Sequence, residues 1–164
     1  APIIEQMLEG AILAGYDAAN VLRDHDIPPQ ILHSPQLRVP IVRYAKLANG
    51  IIQLMEDEGR GMLVRPMKIG TMKAISRACF SATSMEQSLS IWTEASNLMP
   101  HPIAYDLETN DGAISLVMEY EKHPQVAGNT VASTQLVAAH RFIGFELRGR
   151  WQQVNAIGTV RKHR

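Results

Sequence analysis

Apolar residues in the first third of the chain recur at the three- and four-residue spacing of amphipathic α-helices. This spacing predicts one helix over 3–13 and a second over 18–23, with Asp17 as the N-terminal cap of the second. After the Asp-Ile-Pro-Pro sequence at 26–29, a longer helix is predicted over 40–55. Its broad apolar face comprises Ile41, Tyr44, Ala45, Leu47, Ala48, Ile51, Ile52 and Met55. The polar stretch 56–61 contains glycine and predicts a loop.

The middle of the chain predicts two further helices joined by a short turn. The first covers 71–80, and the second begins at Ser84, where Ser84-x-x-Gln87 is a capping-box pattern. Pro100 and Pro102 end the second helix. Its apolar side consists of Met85, Leu89, Trp92, Ala95 and Met99.

A strict alternation of apolar and polar residues follows. Ile103, Tyr105 and Leu107 alternate with polar residues before an Asn-Asp-Gly sequence at 110–112. After that sequence the alternation resumes at Ile114, Leu116, Met118 and Tyr120. Alternation on both sides of such a turn predicts a β-hairpin at about 103–121.

The last third of the chain predicts a long helix over 131–148. Its apolar residues occupy so much of the helix circumference that the helix must pack against several neighbouring elements. A last strand is predicted over 154–160. We therefore expect an α+β fold. The N-terminal half is mostly helical, and a small antiparallel sheet packs on the long C-terminal helix. No linker separates two domains, so 1–164 is expected to be a single domain.

Composition excludes several classes of protein. The formal net charge is zero, whereas domains that bind nucleic acid usually carry a basic excess. One cysteine permits no disulfide within the chain, which fits a reducing compartment. No apolar run approaches the roughly 20 residues that a membrane span needs, and the N-terminus lacks the basic region of a signal peptide. We expect a cytoplasmic protein without membrane contact.

The motifs of common enzyme classes are missing from the sequence. It has no G-x-S-x-G elbow and no P-loop, and its six histidines lack the spacing of a zinc site. Cys79 lies on an apolar helical face and is expected to be a buried, inert thiol. The hairpin carboxylates occupy the solvent positions of the alternation. We therefore predict no enzyme activity, no metal and no cofactor.

The helix pair 71–80 and 84–99 has the arrangement of a helix-turn-helix, but its second helix is unsuited to DNA. That helix carries Glu86 and Glu94 and no basic residue. Phosphates would repel these carboxylates. We expect no DNA contact by this pair.

A small set of aromatic and basic residues is better suited to line a ligand pocket than to catalyse a reaction. Aromatic side chains with a polar tip line many small-molecule sites, and a single arginine can bind a ligand's acidic group. For each residue the alternative is an ordinary packing role in the core. The predicted pocket residues are Trp92, Tyr105, Tyr120 and Arg141.

Several of these segments, in this order, resemble a known family. The first is IPPQILHSPQLRVPIVRYAKLANGIIQLMEDEGRGM, which runs through an Arg-Val-Pro sequence into the long helix. The second is IGTMKAISRACFSATSMEQSLSIW, with a glycine-led helix and a Ser/Thr-rich turn. With the hairpin and the final helix, the order is similar to the N-terminal effector-sensing region of bacterial AraC-type transcription regulators, of the arabinose-binding-domain-like branch.

The resemblance implies a function that the residues alone do not give. It implies an effector-binding and dimerisation domain that controls DNA binding through a C-terminal helix-turn-helix domain, which lies outside this chain. The effector is an unknown small molecule, and the protein is expected to be a homodimer. Because the family's sensor region runs past this chain's last strand, the domain is expected to be truncated. The alternative is a ligand-free dimerisation or protein-interaction module.

Overall fold

A computed structural model describes residues 2–34, 36–110, 113–127, 130–131 and 159–160 of the chain. The described residues form five α-helices, two 3₁₀ helices and three strands, which confirms the predicted α+β class. The α-helices are α1 Pro2–Leu13, α2 Ala18–Arg23, α3 Ile41–Met55, α4 Thr71–Ala78 and α5 Met85–Leu98. The 3₁₀ helices are Pro29–His33 and Cys79–Ser81, and the strands are β1 Ile103–Asn110, β2 Ala113–Tyr120 and β3 Thr159–Val160.

The chain divides into two compact units. The first unit comprises Ala1–Ile69 and Lys122–Val131. The second comprises Gly70–Glu121 and, among the described residues that follow, Thr159–Val160. In the part of the chain that the structure describes, no helix is long and apolar enough to cross a membrane.

The first unit is a packed set of helices whose starts and stops follow from local chemistry. The Asp17 carboxylate accepts from the Asn20 backbone N–H at 2.7 Å, which confirms the predicted cap of α2. Gly15, with a φ of +91°, lies between α1 and α2 in the left-handed region that favours glycine. The core of the unit is formed by Ile4, Met7, Leu8, Ala11, Val21, Leu22, Ile27, Ile31, Leu47 and Ile51.

One predicted core position of α3 is wrong. Ile41 is 67% exposed, whereas Leu47 and Ile51 are fully buried. Ile41 occupies the first position of α3, and the packed stretch of that helix begins about one turn later, at Tyr44. Helical periodicity identifies the face of a helix but does not show how far along it the neighbours reach.

The predicted loop at 56–61 surrounds a buried carboxylate. Asp57 Oδ1 accepts from the backbone N–H groups of Gly59 at 2.7 Å and Met67 at 2.6 Å. Its Oδ2 accepts from the Gly61 N–H at 2.8 Å. Asp57 is only 4% exposed, so these three donors replace its water. The acidic side chain thus organises the whole loop.

In the second unit, the turn between α4 and α5 confirms the predicted capping pattern with one difference. Ser84 Oγ accepts from the Gln87 N–H at 3.1 Å, as a capping box requires. The Gln87 side chain, however, accepts from the N–H of Thr83 at 2.6 Å rather than from Ser84. α4 ends at Ala78 and continues as the 3₁₀ helix Cys79–Ser81, in place of the uninterrupted helix predicted over 71–80.

The predicted hairpin is confirmed, although Val117, on the face opposite Met118, is also buried. β1 and β2 pair antiparallel, with Tyr105 opposite Met118 and Leu107 opposite Leu116. β3 lies parallel to β2 on its other side, giving the strand order β1-β2-β3. β3 falls within the predicted last strand, of which 154–158 lies outside the described residues. The hairpin's Asp111 and Gly112, and the predicted helix 131–148 beyond Val131, also lie outside them, as does its packing on the hairpin.

Candidate functional site

The candidate site is built on α5, whose buried face mixes apolar and polar side chains. Met85, Ser88, Leu89, Trp92 and Ser96 are all buried. α5 packs against α4 on one flank and against β1 on the other. Trp92 joins Ile75 and Cys79 of the α4 side in one apolar cluster. Two serines in the buried stripe of a helix are unusual, because serine hydroxyls are costly to bury without a hydrogen bond.

The structure brings together two of the four predicted pocket residues. The rings of Trp92 and Tyr105 meet edge to face, with centroids 6.4 Å apart and an interplanar angle of 85°. Both residues are buried. Burial raises the pKa of Tyr105 above its ordinary value of 10.0, so its phenol stays neutral at physiological pH.

A side-chain amide fixes the position of Tyr105. Asn97 Nδ2 donates to the Tyr105 carbonyl, and the Tyr105 N–H donates to Asn97 Oδ1, each at 2.8 Å. β1 is an edge strand of the described sheet, so its outward N–H and C=O groups need partners outside the sheet. Asn97 supplies both partners and thereby attaches α5 to β1 at the point where the aromatic pair forms.

The other two predicted pocket residues are placed differently. Tyr120 is buried and lies on the same hairpin face as Tyr105, because it pairs with Ile103 two positions along β1. Arg141 lies outside the described residues. That these four residues contact a ligand stays a prediction.

Four polar atoms in this unit are buried without a hydrogen-bonding partner among the described residues. They are Ser88 Oγ, Thr93 Oγ1, Ser96 Oγ and His101 Nε2. The residues Ser88 and Ser96 are fully buried. Native proteins leave few buried polar groups unpaired, and those that remain often contact a water or a ligand. We call Thr93, Ser96 and His101, which follow one another along the second half of α5 and the segment just after it, the polar cluster.

His101 has a defined protonation state. The Ile103 N–H donates to His101 Nδ1 at 3.3 Å, so in the neutral ring the proton lies on Nε2. Burial lowers the pKa of His101 below its ordinary value of 6.5. At neutral pH, His101 Nε2 is therefore an N–H donor.

The sequence contains a weak signal for the buried serine hydroxyls that residue-by-residue reasoning missed. Ser88, Trp92 and Ser96 are spaced by four residues, so both serines fall within the stripe that the apolar residues of α5 define. A polar residue inside an apolar stripe predicts a buried polar group. It does not predict whether that group has a partner.

The first unit contains a groove of about 370 Å³ beside α1. One of its two carboxylates, that of Glu9, is already engaged. Glu9 Oε1 accepts from the Ala127 N–H, and Oε2 accepts from the Thr130 hydroxyl, both at 2.6 Å. The groove is lined by Glu5, Gln6, Glu9, Ile12, Leu13, Gln125, Ala127 and Thr130.

Two further predictions concern reactive groups. Cys79 is fully buried, as predicted, and its thiol donates to the Ile75 carbonyl at 3.3 Å. Within the described residues, no group of three or more His, Cys, Asp or Glu side chains is arranged to hold a metal ion.

Comparison with known proteins agrees with the resemblance noted in the sequence. A family model described as the N-terminal arabinose-binding domain of the AraC transcription regulator matches residues 15–157. The match includes α2 to α5 and the hairpin. No curated protein and no solved structure matches this chain.

Proposed function

Because this chain belongs to the family of N-terminal arabinose-binding domains of AraC transcription regulators, we propose that its second unit binds the small-molecule effector of such a regulator. The family is a regulatory, ligand-sensing domain. Where the effector binds, and what it is, are the parts that we propose. The site is the interior between α5 and β1.

One observation carries this placement. The buried face of α5 and the residues just after it present four polar atoms without a described partner. Each unpaired buried group costs about 1–3 kcal/mol of stability. Ligand sites combine an apolar lining with a few polar groups in this way. Trp92 and Tyr105 supply the apolar lining, and Ser96 and His101 supply the polar groups.

Effector binding would act on the regulator through two states of the domain. An effector shifts an equilibrium only by its difference in affinity for the two states. The Asn97–Tyr105 pair attaches α5 to β1. An effector between α5 and β1 would therefore change how the helix and the hairpin pack. We propose that this change controls DNA binding by a helix-turn-helix domain, as the family resemblance implies.

The test is a binding screen with a reporter inside the site. Trp151→Phe leaves Trp92 as the only tryptophan, since the chain contains two. A metabolite panel that includes L-arabinose, named in the family's description, is screened by thermal shift. Compounds that raise the melting temperature are then titrated against Trp92 fluorescence. We expect at least one compound to stabilise the protein and to change the emission of Trp92.

A matched pair of variants shows whether a compound binds at α5. Ser96→Ala removes a buried hydroxyl without a described partner, and we expect about five- to tenfold weaker binding. Ser90→Ala, on the same helix, removes a hydroxyl that contacts Glu94 instead, and we expect unchanged affinity. Equal affinity in both variants, or no binding compound at all, would refute the proposed site.

Self-association is a second candidate function, and an apolar patch in the first unit favours it. The Tyr16 hydroxyl donates to the Leu54 carbonyl at 3.3 Å, which brings the ends of α1 and α3 together. Ile12, Leu13, Tyr16 and Leu54 are each at least 38% exposed. We expect Leu54→Glu to dissociate a dimer in analytical ultracentrifugation, and Gln53→Glu, at the neighbouring exposed position, to leave it intact. A monomeric wild-type protein would exclude this function.

A further inference from the structure

The groove beside α1, here called the α1 groove, has a volume of about 370 Å³ and lies within the first unit. One wall is a face of α1, along which Glu5, Glu9 and Ile12 follow one another at spacings of four and three residues. The other wall belongs to the segment 125–130. Glu9 joins the two walls, because its carboxylate accepts two hydrogen bonds of 2.6 Å from that segment.

The walls of the α1 groove carry negative charge, and none of its described lining residues is basic. The Glu5 side chain is exposed, and no residue in the described part of the chain pairs with its carboxylate. The Glu9 carboxylate keeps its charge, since its described partners are an uncharged N–H and an uncharged O–H. Like charges four residues apart on a helix destabilise each other, so a cation bound beside Glu5 would stabilise both.

The cation nearest to the segment 125–130 along the described chain does not supply this charge. Lys122 lies three residues before the segment, but it does not line the groove. Its ammonium donates instead to three backbone carbonyls, at 2.7–3.4 Å. A positive charge that complements Glu5 therefore has to come from a partner.

The other end of the α1 groove is apolar and open. Ile12 and Leu13 both line it, and they are 48% and 38% exposed. Ile12 lies seven residues after Glu5, which corresponds to about 10 Å along the helix axis. Ligand pockets bury about 70–90% of a small molecule, whereas so open a surface would leave much of it in water. A polypeptide segment can cover the groove along its whole length.

A helix fits these walls better than an extended segment does. Extended peptides bind mainly to the backbone groups of an unpaired strand edge. The walls here are α1 and a segment that contains no described strand. In a partner helix, two side chains seven residues apart lie on one face and about 10 Å apart. Such a helix can place a cation beside Glu5 and an apolar side chain beside Ile12 at the same time.

We propose that the α1 groove binds an amphipathic helix of a partner protein, with a lysine or arginine seven residues from a large apolar side chain. The cation pairs with Glu5, and the apolar side chain packs on Ile12 and Leu13. The same carboxylates repel the phosphates of nucleic acids and of acidic membranes. Because the groove belongs to the first unit, this proposal does not depend on effector binding in the second, and either can fail without the other.

Two helical peptides of about 15 residues test the charge complementarity. Each carries a leucine seven residues from a variable position, which is lysine in one peptide and glutamate in the other. Both are labelled with fluorescein and titrated into the full chain by fluorescence anisotropy. The backbone amide signals of Gln125 and Ala127 in ¹H–¹⁵N spectra locate the site. We expect the lysine peptide to bind at least about fivefold more tightly than the glutamate peptide and to shift both signals.

A matched pair of carboxylates shows whether the cation contacts Glu5. Glu5 and Glu86 are both exposed, and each lies in the first turn of its helix, so glutamine removes the same interaction with the helix dipole. We expect Glu5→Gln to bind the lysine peptide about threefold more weakly and with a smaller dependence on salt. Glu86→Gln is expected to bind it as wild type does. Equal effects of the two substitutions would exclude the contact at Glu5.

The apolar half of the proposal has its own pair of variants. Ile12→Asn removes part of the open wall, and we expect it to weaken the binding of both peptides about threefold. Leu54→Glu alters the patch proposed for self-association but no lining residue of the groove, and is expected to leave peptide binding unchanged. Loss of binding in Leu54→Glu would show that the peptide occupies the self-association patch instead.

Two further results would overturn the proposal. Equal affinities for the lysine and glutamate peptides would mean that charge does not select the partner. Hexylamine, which joins a cation to an apolar chain without a polypeptide, is the small-molecule control. If hexylamine shifts the Gln125 and Ala127 signals at the affinity of the lysine peptide, the groove is a site for small organic cations and the helical partner is wrong.

Discussion

The two units of the chain bury polar groups in opposite ways. In the first unit, the Asp57 carboxylate is 4% exposed and accepts three backbone N–H bonds of 2.6–2.8 Å. In the second unit, the hydroxyls of Ser88 and Ser96 are fully buried and have no partner among the described residues. Burying a charge costs more free energy than burying a hydroxyl. Nevertheless, the carboxylate has its hydrogen-bonding partners, whereas the two hydroxyls have none among the described residues.

This difference separates a structural role from a binding role. A buried carboxylate that ties together the N–H groups of a loop stabilises the fold, because each of its bonds is made within the chain. A buried hydroxyl without a partner destabilises the fold by about 1–3 kcal/mol. Proteins break such packing rules mainly at functional or strained sites. The contrast thus agrees with a structural role for Asp57 and supports the binding role that we propose for α5.

The largest expected effect is at Asp57. Asp57→Ala leaves the N–H groups of Gly59, Gly61 and Met67 without their acceptor. We expect a loss of about 3–5 kcal/mol in the free energy of unfolding of the first unit, since charge-assisted bonds to buried groups are involved. Urea denaturation followed by circular dichroism measures this loss.

Asp57→Asn is the graded control for that measurement. Its amide oxygen can keep the Oδ1 bonds to Gly59 and Met67, while its amide nitrogen cannot accept from Gly61. We expect a loss of about 1–2 kcal/mol. If Asp57→Ala unfolds at the same urea concentration as wild type, the carboxylate does not organise the loop and the contrast between the units disappears.

A smaller effect of opposite sign is expected at Ser88. Ser88→Ala removes a buried hydroxyl that has no described partner, so the desolvation cost disappears with it. We expect the free energy of unfolding to rise by about 1 kcal/mol. Ser90→Ala, which deletes the hydroxyl that contacts Glu94, is expected to change it by less than about 0.5 kcal/mol. A destabilised Ser88→Ala protein would show that the hydroxyl has a partner in the folded chain.

The sequence predicts the elements of this fold well wherever the deciding interactions are local. The Asp17 cap, the Ser84 cap and the alternation around the hairpin all operate within a few residues, and the structure confirms each of them. Ile41 shows the limit of such local reasoning. Its place on the apolar face of α3 follows from periodicity, but its exposure depends on where the neighbouring helices end.

The candidate site is less predictable because its important contacts are long-range. The sequence predicts both Trp92 and Tyr105 as pocket residues, yet only the fold brings their rings edge to face. Asn97 looks like a solvent residue near a helix end, and nothing in its neighbourhood predicts that it pairs with the Tyr105 backbone. Similarly, the sequence shows that Ser96 lies in an apolar stripe, but whether its hydroxyl has a partner depends on residues far along the chain.

The smallest expected effect is the pH dependence of stability at His101, the one member of the polar cluster that titrates. Its folded-state pKa lies below the ordinary 6.5 because burial disfavours the charged ring. As pH falls through about 6.5, the unfolded chain therefore binds a proton that the folded chain does not, and the free energy of unfolding falls. The decline ends where the folded-state ring also protonates. The useful quantity is the wild-type value minus that of His101→Asn, because every group that the substitution leaves unchanged cancels in this difference. We expect this difference to fall between pH 7 and pH 5. A difference that is constant, or that rises as pH falls, would mean that His101 is not held neutral by burial, and the distinction between the two units would then rest on the hydroxyls alone.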